Sequence, residues 1–386
     1  MRTWLAAALL LSHLIVASAA EPPGSTPEVR VQQVPGVPRP QDRALAASWE
    51  VPVPETPAPM VVGTGDGFVV ASRSGKISSF PLDGGPALWQ AQLGAPLASL
   101  PVLSGSRLVI PLEDGSIALL DASTGSVSAR LDGIGSGLML STVPGGVAIS
   151  DPAGSVALLD PESAVISWKV ALPAPPSAPV AACAGTLLVG TSKGSLVSIS
   201  FSGQLLWEHP LGGPVATAAA CAGDRAYVGG SDNKLHALKV RPKRCRLLWS
   251  FITGGDIVGP PLVRAERVMF FSLDTYLYAL RADNGHLAWK IRMGRRPRPS
   301  AALVGDLLFV APLNAERLDA FRLPGGASVS HLALEAGLDR FVTPPALAGK
   351  LVVIGAARYG EESARVIGLD PLGSGSPVDP ALVGGP

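Results

Sequence analysis

Apolar residues in this chain come in short bursts separated by turn-forming residues. The stretch 260–291 shows the pattern most plainly. Segments 261–263, 268–271, 276–280 and 287–291 are apolar or alternate apolar with polar, and polar or turn residues divide them. Runs of this length and alternation predict β-strands. Ala282-Asp283-Asn284-Gly285 stands before the last run, and Asn-Gly predicts a hairpin because both residues tolerate φ > 0. The two preceding stretches repeat the arrangement: AACAGDRAYVGGSDNKLHALKV then RLLWSF, and AACAGTLLVGTSKGSLVSIS then GQLLWEH. Helical spacing is not sustained in any window beyond the first twenty residues. The chain is therefore expected to be all-β.

The bursts have a long period as well as a short one. Trp49, Trp89, Trp168, Trp207, Trp249 and Trp289 are separated by 40, 79, 39, 42 and 40 residues. The wide gap is two periods with Ala129 at the missing anchor, and Ser330 continues the series. Four strands per repeat of about 40–50 residues predict the blades of a β-propeller. Each anchor tryptophan is expected to pack between adjacent blades, where a large flat side chain fills the gap that widens toward the rim.

Counting strands A to D outward from the axis, the segment 46–51, with Trp49, supplies only an outer D strand. Seven complete units follow, the last ending with a D strand around 328–332. Segment 342–369 then supplies strands A, B and C. Three C-terminal strands and one N-terminal strand make an eighth blade, so the ring is expected to close through the N-terminal strand. The alternative is seven blades with Trp49 in a disordered arm. One domain accounts for the length, because repeats add residues without enlarging a single core.

Composition changes the picture at the ends. Residues 1–20 read as a secretory signal: Arg2, an apolar core 4–16, and Ala17-Ser18-Ala19-Ala20 as a cleavage site. Residues 21–43 form a Pro-rich linker, 44–370 the propeller domain, and 371–386 a flexible tail. The apolar stretch is too short for a comfortable membrane span, and no cysteine follows it for lipid attachment. An exported, soluble, periplasmic or extracellular protein without a transmembrane segment is expected, acting as a monomer. A net charge of +1 does not point to nucleic acid. Cys183 and Cys221 occupy equivalent places in neighbouring repeats, which are expected to lie too far apart to bridge. A bond between Cys221 and Cys245 within one blade, or three buried thiols, are the alternatives.

At this point the repeat phrase is recognisable. Leu280-Arg281-Ala282-Asp283-Asn284-Gly285-His286-Leu287-Ala288-Trp289 resembles the Ala-x-Asp-x-x-Thr-Gly-x-x-x-Trp docking motif of quinoprotein-type (PQQ-like) propellers, WD40-like in their four-stranded repeat. Asp121 with Thr124-Gly125, and Asp160 with Trp168, match in part. The motif departs at Arg281, at Ala129 and Ser330, and at the insertion 241–246. Two eight-bladed families share the resemblance: quinone-dependent dehydrogenases, and BamB-type proteins of outer-membrane protein assembly.

A quinone dehydrogenase would need oxygen ligands for Ca²⁺, an Asp base and flat side chains around the cofactor. The adjacent Cys-Cys pair of the alcohol dehydrogenases is missing, and Asp256 and Asp339 are the main acids in the predicted D–A loops. His209, His236, His286 and His331 are scattered singly, and no catalytic or metal-ligand phrase occurs. No catalytic residue, metal or cofactor is expected. Arg295, Arg296 and Arg298 in one D–A connection, Arg340 in the next, and Asp256 nearby make a candidate rim for a partner. Arg241, Lys243, Arg244 and Arg246 are expected on a solubilising C–D turn of the opposite face. The reading that results is a non-catalytic propeller scaffold for a protein partner in the cell envelope, of the BamB type. Its alternative is a quinone- or small-ligand-binding propeller that uses the central funnel.

Overall fold

The computed structural model describes residues 43–371 apart from 54–56, 265, 294–300, 313, 324 and 361–363. Those residues form eight antiparallel blades arranged in sequence order around a ring, with no helix among them. The leader 1–20 and nearly all of the Pro-rich stretch and the tail lie outside the described residues.

Blade six shows why the sequence folds this way. Its strands are Ile257–Arg264, Arg267–Ser272, Tyr276–Arg281 and Leu287–Arg292, each containing one of the apolar runs. The two middle strands are apolar on both faces because neighbouring blades cover both; Val268 to Phe271 and Leu277 to Leu280 are all buried. Outer strands have one covered face and therefore alternate, as Val165–Ala171 does. The Asn-Gly turn is a hairpin, but Gly285 alone takes positive φ (75°). Gly285 N donates to Arg281 O and Asn284 Oδ1 accepts from His286 N, so the turn is wider than a two-residue one.

The core is distributed over the seams. Val69 and Ile77 of blade one pack with Leu97, Leu108, Ile110 and Leu120 of blade two, and equivalent clusters recur around the ring. Anchor tryptophans cross these seams. Trp49, Trp89, Trp168 and Trp207 each donate Nε1–H to a carbonyl of the next blade: Leu82, Ala122, Phe201 and Arg241, at 2.8, 3.1, 2.9 and 3.0 Å. Under the rings of Trp49, Trp89, Trp168, Trp249 and Trp289 lies a glycine at positive φ: Gly84, Gly125, Gly203, Gly285 and Gly326. A Cβ on Gly125 would sit 2.2 Å from the Trp89 ring, so the contact excludes every other residue.

Closure uses the N-terminal strand. Trp49–Val53 pairs antiparallel with Ala364–Leu369, Trp49 opposite Gly368 and Val53 opposite Ala364. The seven-bladed alternative is thereby overturned. Immediately before it, Arg43–Ala44 pairs in parallel with the outer strand of blade seven, Arg43 opposite Ser330. Arg43 is the last residue of the Pro-rich stretch, and one short segment thus edges two blades.

The cysteine expectation is corrected. Cys183 and Cys221 form a disulfide with Cα atoms 5.7 Å apart, and Cys245 is free. Both bonded residues lie on innermost strands, Ala181–Cys183 and Ala220–Ala222, which converge on the axis. Equivalent positions are therefore close there, although they splay at the rim. Cys221 and Cys245 sit on the first and last strands of one blade, with two strands between them. That spacing is about 14 Å, beyond reach of a bridge. Burial pushes the Cys245 thiol up to about 11, which leaves it a weak nucleophile.

Candidate functional site

Two kinds of loop share one face of the ring: the D–A connections and the B–C turns. The backbone ties them together. Leu93 N donates to Gly75 O, Leu172 to Gly154, Leu211 to Gly194, Thr253 to Asn233, Met293 to Thr275 and Leu334 to Glu316, at 2.7–3.0 Å. Each of these connections is thus anchored where it leaves its outer strand.

Side chains reinforce the rim in blades five and six. Asp232, on a B–C turn, accepts from His236 Nε2 at 3.1 Å, and His236 Nδ1 lies 3.0 Å from Ser250 Oγ. Burial holds the His236 pKa below its usual value, against the pull of Asp232, so the ring is neutral at pH 7. In blade six Asp274 accepts from Tyr278 O–H at 2.7 Å and from Gly254 N at 2.8 Å. Both cases put an acid four residues before a ring donor across the turn. That spacing is visible in the sequence, yet single-residue reading of the histidines passes over it.

Blade eight departs from expectation. Its first strand is split into Asp339–Phe341 and Ala346–Ala348, both paired with Leu351–Arg358. Arg340 therefore lies within a strand rather than in a connecting loop. Asp339, read as a funnel acid, is 4% exposed. It accepts from Arg365 Nη2 at 2.7 Å and Arg358 Nε at 3.3 Å. Arg365 also pairs with Glu50 at 3.1 Å, and Arg358 with Glu335 at 3.1 Å. Burial raises the Asp339 pKa, but the hydrogen bonds and charges of the two arginines outweigh it and hold the carboxyl below the usual range. The chain of charges joins the innermost, middle and outer strands of the closing blade, so Asp339 is consumed by structure.

The accessible features of this blade are different ones. The Arg340 guanidinium lies 4.9 Å from the Tyr359 ring centroid, and Tyr359 is 75% exposed. Tyr359 N donates to Leu338 O at 2.8 Å, and the Leu338 side chain is exposed too. Leu338 and Tyr359 were missed in sequence, although an apolar residue beside a glycine in a polar loop (Gly337-Leu338, Tyr359-Gly360) marks both. Asp256 lies in the connection entering blade six, its carbonyl accepting from Leu273 N, and blade seven separates it from Arg340. Arg295, Arg296 and Arg298 lie outside the described residues.

A family model described as outer membrane protein assembly factor BamB matches residues 41–148 and 152–371. The chain belongs to the BamB family. Among solved structures it is similar to BamB from Moraxella catarrhalis, with a TM-score of 0.68 and 16% identity over 84% of this chain and 99% of that one. It is equally similar in fold to the computationally designed Ika8 protein (TM-score 0.69, 12% identity, 82% and 98% covered). The C-terminal WD40 domain of Sif2 gives TM-score 0.69 at 10% identity, covering 85% and 99%. At these identities the likenesses speak for the propeller fold alone. No curated protein matches the sequence.

Membership of the BamB family supports a protein-interaction scaffold in general. No group of three or more His, Cys, Asp or Glu among the described residues is placed to hold a metal ion. Asp339 is occupied by arginines, and several innermost strands carry small side chains such as Ala182, Ala220, Ala222 and Ala346. No described helix is long and apolar enough to cross a membrane.

Proposed function

We propose that this chain is an exported, non-catalytic propeller that holds a protein partner in the cell envelope, in outer-membrane protein assembly of the BamB type. The observation that carries the reading is the blade-eight rim, where Arg340 stacks on the exposed Tyr359 beside exposed Leu338. Aromatic and arginine side chains together are the usual anchors of a protein interface. In sequence, Arg295, Arg296 and Arg298 fall between Leu287–Arg292 and Ala302–Val304 and add positive charge suited to an acidic partner segment. Family membership supports the partner class, and the leader 1–20 supports export.

The test is the set of envelope proteins that co-purify with the chain. Leu338→Ser/Tyr359→Ser and Arg295/Arg296/Arg298→Ala variants are expected to lose a partner that wild type retains. An unchanged set would dismiss the rim. Export predicts a mature N-terminus at Ala20 or Glu21, read by N-terminal sequencing; an intact Met1 would remove it. A saturable, Ca²⁺-dependent rise in melting temperature with pyrroloquinoline quinone would replace the scaffold reading by a quinone-binding one.

A further inference from the structure

The opposite face, which carries the A–B and C–D turns, holds a feature that the partner rim does not use. In blade five the C and D strands are Lys234–Arg241 and Arg244–Ile252, of 8 and 9 residues. The C strands of blades one and six, Lys76–Pro81 and Tyr276–Arg281, start at equivalent turns and have 6. The blade-five hairpin therefore projects by two residues, about 7 Å, past its neighbours. Arg241 pairs with Arg244 across a tight Pro242-Lys243 turn. Arg241, Lys243, Arg244 and Arg246 are all exposed, and among the described residues none of the four is in an ion pair.

Two acids on the neighbouring turns of this face are already matched. Asp224 pairs with Lys239 at 3.2 Å and Asp283 with Arg281 at 3.2 Å. Exposed apolar side chains lie on the hairpin and on the neighbouring blade four. Leu247 is 44% exposed on the hairpin itself. Phe201 and Leu205, 39% and 46% exposed, belong to the turn and strand of blade four that carry Trp207. Trp207 Nε1 bonds Arg241 O at 3.0 Å, which fixes that strand against the hairpin. Across the ring, the same face of blades one to three carries Asp66, Asp83 and Asp160, with Asp121 and Glu162 paired to Arg107. The charge is thus concentrated at one edge.

The geometry points to the blade-five hairpin as a docking element for an anionic lipid surface. Four unmatched cations at a projecting tip complement a layer of negative headgroups. Phe201, Leu205 and Leu247 beside them suit the boundary between headgroups and acyl chains. The acidic edge of blades one to three would turn away, so the ring stands tilted with blades four and five toward the bilayer. The funnel-face rim stays open to a partner, and the two sites can fail independently.

Co-sedimentation of the full chain with vesicles tests this. Binding is expected to vesicles rich in phosphatidylglycerol, to fall steeply as salt is raised, and to be weak with phosphatidylcholine alone. Arg241/Lys243/Arg244/Arg246→Gln should lower partitioning by about fivefold for each charge removed, nearly three orders of magnitude in all. Arg241/Arg244/Arg246→Lys should keep it, and Phe201→Ser/Leu247→Ser should weaken it at unchanged salt dependence. Melting temperatures of the variants confirm that they fold, and the salt series on wild type stands even if the Gln variant does not. Equal binding to both vesicle types, or full binding by the Gln variant, would overturn the proposal. So would binding to a Glu-rich peptide with none to vesicles, which would make the surface a site for an acidic protein.

Discussion

Two neighbouring seams solve the same packing problem differently. Between blades one and two, the Trp89 ring lies over Gly125, and its Nε1–H bonds Ala122 O. Between blades two and three the anchor is Ala129, and the matching turn carries Ala164 at φ 56° in place of glycine. Ala129 and Ala164 both pack on the same apolar cluster. The turn geometry is kept in both, but glycine is required only where a ring occupies the space above it. The docking motif is therefore one coupled unit of ring and glycine, and losing the ring releases the turn residue.

Breaking the first seam should have the largest effect. Gly125→Val forces a β-branched residue to φ 71° and pushes its Cβ into Trp89, which should cost about 4 kcal/mol and lower Tm clearly in thermal unfolding. A seam with covalent help gives the next scale. Cys183→Ser/Cys221→Ser opens a crosslink spanning 38 residues and should cost about 3 kcal/mol in denaturant unfolding.

The closing seam replaces covalent help by charge, and pH separates the two. Because the Asp339 pKa is lowered in the fold, its contribution is present above the ordinary carboxylate value and is lost as pH falls through the folded one. Asp339→Asn should cost about 2 kcal/mol at neutral pH and reduce the acid sensitivity of Tm. Full acid sensitivity in the variant would show that the network of Arg358, Arg365 and Glu50 does not hold the closure.

Smaller effects sharpen the comparison of anchors. Trp249 lies over Gly285, but its buried Nε1 has no hydrogen-bond partner. Ala282 O, which corresponds to Ala122 O, accepts from Tyr227 O–H at 2.9 Å and Arg225 Nη1 at 3.1 Å instead. Trp89→Phe should thus cost about 1 kcal/mol more than Trp249→Phe, since only the former breaks a bond. Smallest of all, Ala164→Gly should change stability by less than about 0.5 kcal/mol, because relief of the positive φ offsets the added chain entropy.

Most of the architecture was legible because it is periodic. Trp49 at the head of the ladder, and three strands without a fourth at the other end, gave eight blades and their closure. Of the residues read as a rim, Arg340 and its neighbour Asp339 have surroundings that charge alone did not reveal. Arg340 and Asp339 stood side by side in sequence, yet one stacks on an exposed tyrosine while the other is buried between arginines. Strand geometry sends adjacent side chains to opposite faces, and a reading of loops has no access to that alternation. Cys183 and Cys221 misled for a related reason. Their equivalence implied separation, whereas distance between equivalent positions depends on radius from the axis.

The sequence by itself determined the strand pattern, the repeat, the tryptophan anchors and the glycines set about 36 residues beyond them. These are local or periodic properties, fixed by hydrophobic burial and allowed backbone angles. Only the tertiary structure decided which cysteines meet, which acid is neutralised, and which apolar side chains stay in water at Leu338, Tyr359 and Leu247. Those outcomes depend on distances between residues far apart in the chain, and ring closure sets them all at once.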